Sequence, residues 1–325
     1  MTNHPIFLSW IEHHGRSADL ATALGIEAVF VAGGKGNLAR RYIRQWRATT
    51  TILNSANPRA VVVMQPPLPA LLAVLSTRAG RRARIIGDLH TGTFEDPKWS
   101  WALPWILKIL AKRGSAIVTN EALASRTRSA GVPTIVMHDM IVDFVRDDGY
   151  EVDVSLLRTL EGKDFVLVPL AYANDEPIDA LLKAAAQDPE ITWVLTGRPP
   201  ASVRARAGAN VHFSGYVSNA TYGRLVELST VIAALTNREF TMQRAGYEAL
   251  AAAKTLVTAS TKTLSSYFGD SVIYTDGTSD SIANSARQAI ASSEEYSARM
   301  DELKQEKIAE QGDSLAAIRS TLEVD

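Results

Sequence analysis

The sequence predicts an α/β protein made of two successive doubly wound parallel sheets, facing one another across a cleft. Three observations carry that reading. Twelve short apolar runs rich in β-branched residues alternate with stretches of helical spacing, the pattern of strands joined by helical crossovers. The 325 residues exceed what one core holds comfortably, so two domains of about 150 residues each are expected. Charge is also divided unequally: residues 1–145 carry 17 Lys and Arg against 9 Asp and Glu, whereas residues 146–325 carry 17 against 26.

In the first half the strand candidates are PIFLSW, EAVFVA, AVVVMQ, ARIIGD, SAIVTN and TIVMHD, with helical stretches such as SADLATALG and LPALLAVLSTRAG between them. After DFVRDDGYEVD the pattern restarts with DFVLVPLA, ITWVLTG, NVHFSG, VIAALT, TLVTAS and SVIYTDG. The expected organisation is therefore an N-terminal domain over 1–148, a C-terminal domain over 149–295, and a charged helical tail over 296–325.

The chain has no cysteine, which excludes disulfides, thiolate metal sites and cysteine nucleophiles. His13 and His14 are adjacent and cannot both face one site, and no other spacing suits a metal, so none is expected. VAGGKGNLARR lacks the terminal Lys-Ser/Thr pair of a phosphate loop, so Gly33, Gly34 and Gly36 read as a turn. No signal peptide and no run of eighteen uncharged apolar residues is visible, so a soluble cytoplasmic protein is expected.

The surplus of eight positive charges in the first half points to an anionic partner, a membrane surface or phosphate-bearing lipid. Nucleic acid is not expected, because the basic residues are scattered and no recognised motif interleaves them with aromatics. Two stretches could meet a membrane: RRYIRQWRATTTIL, with Tyr42 and Trp46, and KWSWALPWILKILAKR, with Trp99, Trp101 and Trp105. The competing reading is core-facing helices whose lysines reach back to water. Peripheral contact at the inner face of the cell membrane is the expectation.

Ligands of open α/β sheets bind outside the carboxyl ends of strands. In the second half Ala171–Asn174, Thr196–Arg198, Ser214–Tyr216 and Thr236–Arg238 hold such positions. In ALTNREFTMQRAGYEALAAAKTLVTAS, Thr241, Met242 and Gln243 are expected to open a helix whose amino end receives phosphate, with Glu248 farther along accepting from ribose hydroxyls. Arg198, after WVLTG, could neutralise a diphosphate.

With HFSGYV upstream, this order resembles the donor domain of GT-B glycosyltransferases, specifically enzymes similar to glycosyltransferase family 4. The resemblance implies that Gly215, Tyr216 and Val217 lie beside the nucleotide base. Many retaining members carry two glutamates eight positions apart here. Glu239 and Glu248 are nine apart, so Glu248 carries over and Glu239 does not.

By the same resemblance SWIEHHGRSADLATALG is the first strand-to-helix turn of an acceptor domain, placing His14, Gly15 and Arg16 on the acceptor side. RIIGDLHTGTF ends a strand on Asp88 and His90. Asp88 is expected to take the acceptor proton, with a pKa raised towards neutrality, while His90 orients it or contacts phosphate and Gly92 leaves room. His90 could itself be the base, or Asp88 could merely cap the turn.

The implied function is transfer of a sugar from a UDP- or GDP-sugar donor to a hydroxyl acceptor, a lipid-linked glycan intermediate of surface polysaccharide assembly, with no cofactor. A nucleotide-sugar epimerase and a non-catalytic nucleotide or sugar binding module are the alternatives.

Overall fold

The computed structural model describes residues 3–141 and 154–323. Its chain divides into two compact units, one of Met1–Met140 with Ala309–Asp325 and one of Ile141–Ile308. The boundary expected at residue 148 lies outside the described residues. Each of the twelve apolar runs contains a strand, six strands form each sheet, and all the pairings are parallel.

The first sheet contains β1 (Ile6–Ser9), β2 (Glu27–Phe30), β3 (Ala60–Gln65), β4 (Arg84–Leu89), β5 (Gly114–Val118) and β6 (Thr134–Val136), in the order β2-β1-β3-β4-β5-β6. Helices α1 (Gly15–Leu24), α2 (Leu38–Ala56), α3 (Leu68–Ser76), α4 (Arg78–Arg82), α5 (Thr91–Glu95), α6 (Leu103–Arg113) and α7 (Glu121–Ser129) connect the strands. Alternation along the strands turns Phe7, Val62, Ile86 and Ile117 into one core cluster with Leu20 and Leu24 of α1. Helix α1 starts where the His14 ring accepts from the Ser17 N–H and stops where Gly25 adopts a φ of 69°. From β1 the chain moves outward to β2, then crosses back to β3. That reversal makes the carboxyl ends of β1 and β3 the switch point of this sheet.

In the second unit α8 (Val154–Leu160) precedes a sheet of β7 (Phe165–Val168), β8 (Thr192–Thr196), β9 (Val211–Gly215), β10 (Val231–Ala234), β11 (Thr255–Ala259) and β12 (Ile273–Thr275), ordered β12-β11-β10-β7-β8-β9. Its connections include α9 (Ile178–Gln187), α10 (Ala201–Arg204), α11 (Asn219–Leu228), α12 (Arg244–Ala251) and α13 (Lys262–Phe268), and α14 (Ser279–Ala291) follows the last strand. Both faces are covered. Phe165 and Leu167 pack with Leu225, Leu250 and Phe268, whereas Val166 and Val168 pack with Leu181, Ile282 and Ala286. The switch point falls between β7 and β10.

The last helix, α15 (Ser293–Glu323), contains most of the expected tail. Met300 packs in the core of the second unit, and Leu315, Ile318 and Leu322 pack in that of the first. The charged composition hid a spaced set of apolar residues that makes this helix part of both cores.

Candidate active site

Asp88, the penultimate residue of β4, is 0 % exposed. Its Oδ1 accepts from Arg16 Nη2 at 3.3 Å, and its Oδ2 lies 2.8 Å from His90 Nε2. Arg16, buried in the first turn of α1, also donates to Asp139 Oδ1 at 3.0 Å and to the Met137 carbonyl at 2.8 Å. Burial alone would raise the Asp88 pKa, but His90 and Arg16 hold it well below the ordinary carboxylate range.

This direction reverses the expectation of a raised pKa. A carboxylate that strongly prefers its charged form and has no solvent face is a poor proton acceptor. Nor does Asp88 cap the next turn, since the N-cap residue of α5 is His90, which makes no side-chain capping bond. Arg16, expected on the acceptor side, is buried and paired with Asp88 and Asp139.

His90 is half-buried, and its ring stands edge-on to that of His14 with centroids 5.0 Å apart. Nε2 of His90 faces Asp88 Oδ2, so in the tautomer that donates from Nε2–H the ring lone pair sits on Nδ1. The His14 pKa is lowered by burial and then by His90, against the pull of Asp88 and Asp139, which favours a neutral ring at pH 7. Gly15 opens α1 beside His14, and Gly92 lies in α5, where an added Cβ would stand 3.8 Å from Pro66 carbons. The fold thus brings His14, Arg16, Asp88 and His90 together from two strand ends. Asp139 was missed from the sequence, although TIVMHD ends on an acid as ARIIGD does.

In the second unit Arg198 and Tyr216 follow the paired strands β8 and β9, and the guanidinium lies over the tyrosine ring at 5.1 Å. Tyr216 is 78 % exposed. Gly215 has a φ of 71° with open space where a Cβ would stand, so backbone conformation rather than crowding calls for glycine there. Val217 and Met242 pack against the core, so their side chains serve the fold more than a surface.

The helix expected to open at Thr241 begins at Arg244, with Gln243 as its N-cap residue in extended conformation. Thr241 and Met242 therefore belong to the preceding loop, where the Met242 side chain is held by the core and by the Tyr247 hydroxyl at 3.3 Å. Glu248 accepts from Arg244 Nε at 3.0 Å and from the Tyr222 hydroxyl at 2.5 Å. Burial, and then Glu248, push the Tyr222 pKa well above its ordinary value, which keeps the phenol a donor. Glu239 accepts instead from the Thr263 N–H at 3.0 Å, at the start of α13. The sequence also gave no signal for Asp175, which joins the loops after β7 and β10 by accepting from Thr236 Oγ1 at 2.9 Å.

The two stretches considered for a membrane differ. Trp46 and Trp99 are half-buried, whereas Trp101 and Trp105 are each 63 % exposed on or beside α6, with Lys108 and Lys112 also exposed on that helix. Among the described residues no helix is long and apolar enough to cross a membrane, and no group of three or more His, Asp or Glu is placed to hold a metal ion.

No protein-family model and no curated protein sequence matches the chain. Solved structures do match its fold. HepE from Anabaena in complex with UDP-glucose superposes with a TM-score of 0.74 at 14 % identity, covering 98 % of this chain and 99 % of HepE. A glycosyltransferase from Rickettsia africae gives 0.71 at 10 % identity, covering 99 % and 98 %. The UDP-GlcNAc 2-epimerase of Neisseria meningitidis, bound to UDP-GlcNAc, gives 0.63 at 14 % identity, covering 98 % of both chains. The fold is thus that of the GT-B glycosyltransferases, two Rossmann-like units in one chain, and the epimerase shares its architecture.

Proposed function

We propose that the protein is a glycosyltransferase that moves a sugar from a nucleoside diphosphate donor, UDP- or GDP-linked, to a hydroxyl acceptor. The observation that carries this reading is the contact of His90 Nε2 with the buried Asp88 carboxylate at 2.8 Å, which suits the tautomer whose Nδ1 can take a proton. As the acceptor oxygen bonds to the anomeric carbon, its proton passes to Nδ1 of His90. The bond from that carbon to the phosphate oxygen breaks, and its electron pair leaves with the nucleoside diphosphate. Asp88 stabilises the imidazolium so formed, and Arg16 holds Asp88 in place. Such a single displacement inverts the anomeric configuration.

The second unit takes the nucleotide in this proposal. Arg198 and the amino end of α12 supply positive potential to the diphosphate without a metal, Glu248 offers remaining lone pairs to the ribose, and the Gly215–Tyr216 backbone lies beside the base. The exposed Trp101 and Trp105 beside Lys108 and Lys112 favour a lipid-linked acceptor met at an anionic membrane surface, within surface polysaccharide assembly. The resemblance to UDP-GlcNAc 2-epimerase keeps a second reading open.

Incubation with UDP-glucose, UDP-GlcNAc and their GDP counterparts, with and without polyprenyl-phosphate-linked acceptors, separates the two. Transfer releases nucleotide only when acceptor is present. A changed sugar on the donor without acceptor establishes epimerisation, and the absence of nucleotide binding by calorimetry overturns both.

A further inference from the structure

At the amino ends of β3, β4 and β5, the edge of the first sheet opposite Asp88 and His90, lies an open cavity of about 730 Å³. Its eleven lining residues include Arg59, Arg82, Arg84, Lys112 and Arg113 and no Asp or Glu. Arg113 donates to the Arg81 carbonyl oxygen. The side chains of Arg59, Arg82, Arg84 and Lys112 have no hydrogen-bond or ion-pair partner among the described residues, and Nε of Arg84 is buried without one.

Cations at this edge have an ordinary explanation, because α2, α4 and α6 all end there and a helix carboxyl end attracts positive charge. Magnitudes decide against that explanation as sufficient. Three helix ends contribute about −0.5 charge each, roughly −1.5 together, against five full positive charges. Several like charges converge on one concave surface that no Asp or Glu lines, and guanidinium groups present the forked donors that match phosphate oxygens.

We propose that this cavity binds the phosphate of an anionic ligand, a phosphomonoester or diphosphate group. Two shallow grooves adjoin it at Lys112, and one is walled by Leu103, Pro104, Leu107 and Ala111 of α6. An alkyl or isoprenoid chain attached to the phosphate finds apolar contact there, so a lipid headgroup is the source this surface favours. The inference goes beyond glycosyl transfer, and its test does not depend on that reading.

The test compares the full chain with the double variant Arg59→Ser, Arg84→Ser, and with Arg82→Ser as a second variant on an exposed helix position. In one arm calorimetry measures inorganic pyrophosphate at fixed ionic strength. In the other, sedimentation compares vesicles of phosphatidylcholine containing phosphatidic acid with vesicles of equal surface charge containing phosphatidylserine. The wild-type chain is expected to bind pyrophosphate and to prefer phosphatidic acid, and the double variant to lose about tenfold or more in both. UDP affinity and melting temperature of Arg82→Ser should stay at wild-type values while its phosphate affinity falls. Pyrophosphate binding that changes without any vesicle preference assigns a soluble phosphate ligand. Equal binding by wild type and both variants in both arms overturns the proposal, since any pyrophosphate bound then lies elsewhere.

Discussion

His90 Nε2 stands 2.8 Å from Asp88 Oδ2, while the other oxygen of the same carboxylate is held by Arg16. A charge with no exposed surface persists here because two donors, one from each side, compensate its removal from water. The same arrangement fixes the orientation of the imidazole and the nitrogen it presents. Energetics of burial and the proposed chemistry therefore rest on one carboxylate, and substitutions must be chosen to separate them.

His90→Gln keeps a hydrogen-bonding side chain but removes the basic nitrogen. Turnover is expected to fall by roughly a hundred- to ten-thousand-fold, with UDP affinity and melting temperature close to wild type. Asp88→Asn should lose a comparable factor while the nucleotide still binds. Steady-state kinetics beside calorimetry checks both, and full turnover in His90→Gln removes the imidazole from the mechanism.

The folded-state pKa of Asp88 lies below its ordinary value of 3.8, so its contribution to stability is complete above that value and is lost as pH falls through it towards the folded pKa. The His14 pKa is also lowered, from 6.5, but for a base the unfolded chain then binds the proton more tightly. Its contribution is complete above pH 6.5 and declines below it. Thermal melts should show a shallow loss of stability starting below 6.5 that is reduced in His14→Gln, followed by a steeper loss below about pH 4 that is reduced in Asp88→Asn. Unchanged pH profiles in both variants contradict these assignments.

Glu248 holds Arg244 and Tyr222, so its substitution has two consequences that Tyr222→Phe helps to distinguish. Tyr222→Phe should lower stability by about 1 kcal/mol, because the half-buried Glu248 carboxylate loses one of its donors, while UDP affinity stays nearly constant. Glu248→Ala should lower both, weakening UDP by about tenfold. Calorimetry showing equal UDP affinity in Glu248→Ala and wild type confines Glu248 to a structural role.

Trp101→Ser combined with Trp105→Ser is expected to cut sedimentation with anionic vesicles without altering the melting temperature, since both side chains are mostly exposed. Salt should weaken what attachment remains, over a screening length of about 10 Å at 0.1 M. Equal sedimentation of variant and wild type would place the contact on another face.

The twelve strands and their division into two sheets were legible because continuous apolar runs bounded by turns are local features, and a strand buried on both faces tolerates little else. Placing Asp88 and His90 at a strand end was legible for the same reason. Local order also displaced one boundary: Thr241-Met242-Gln243 carries the polar residues of a helix start, yet α12 begins only at Arg244, with Met242 drawn into the core and Gln243 left extended.

By itself, then, the sequence determined the α/β class, the strand ends and the residues that collect there, all set by neighbours within a few positions. Tertiary structure alone decided what those residues do to one another. Arg16 and Asp88 are 72 positions apart, and nothing local marks them as an ion pair. The direction of the Asp88 pKa depends on whether burial or its two hydrogen-bonding neighbours, Arg16 and His90, dominate, a balance that exists only once these groups are brought together by the fold. The cationic cavity has the same origin: Arg59 precedes β3, Arg84 begins β4 and Lys112 lies near the end of α6, and parallel pairing of β3, β4 and β5 puts these positions side by side.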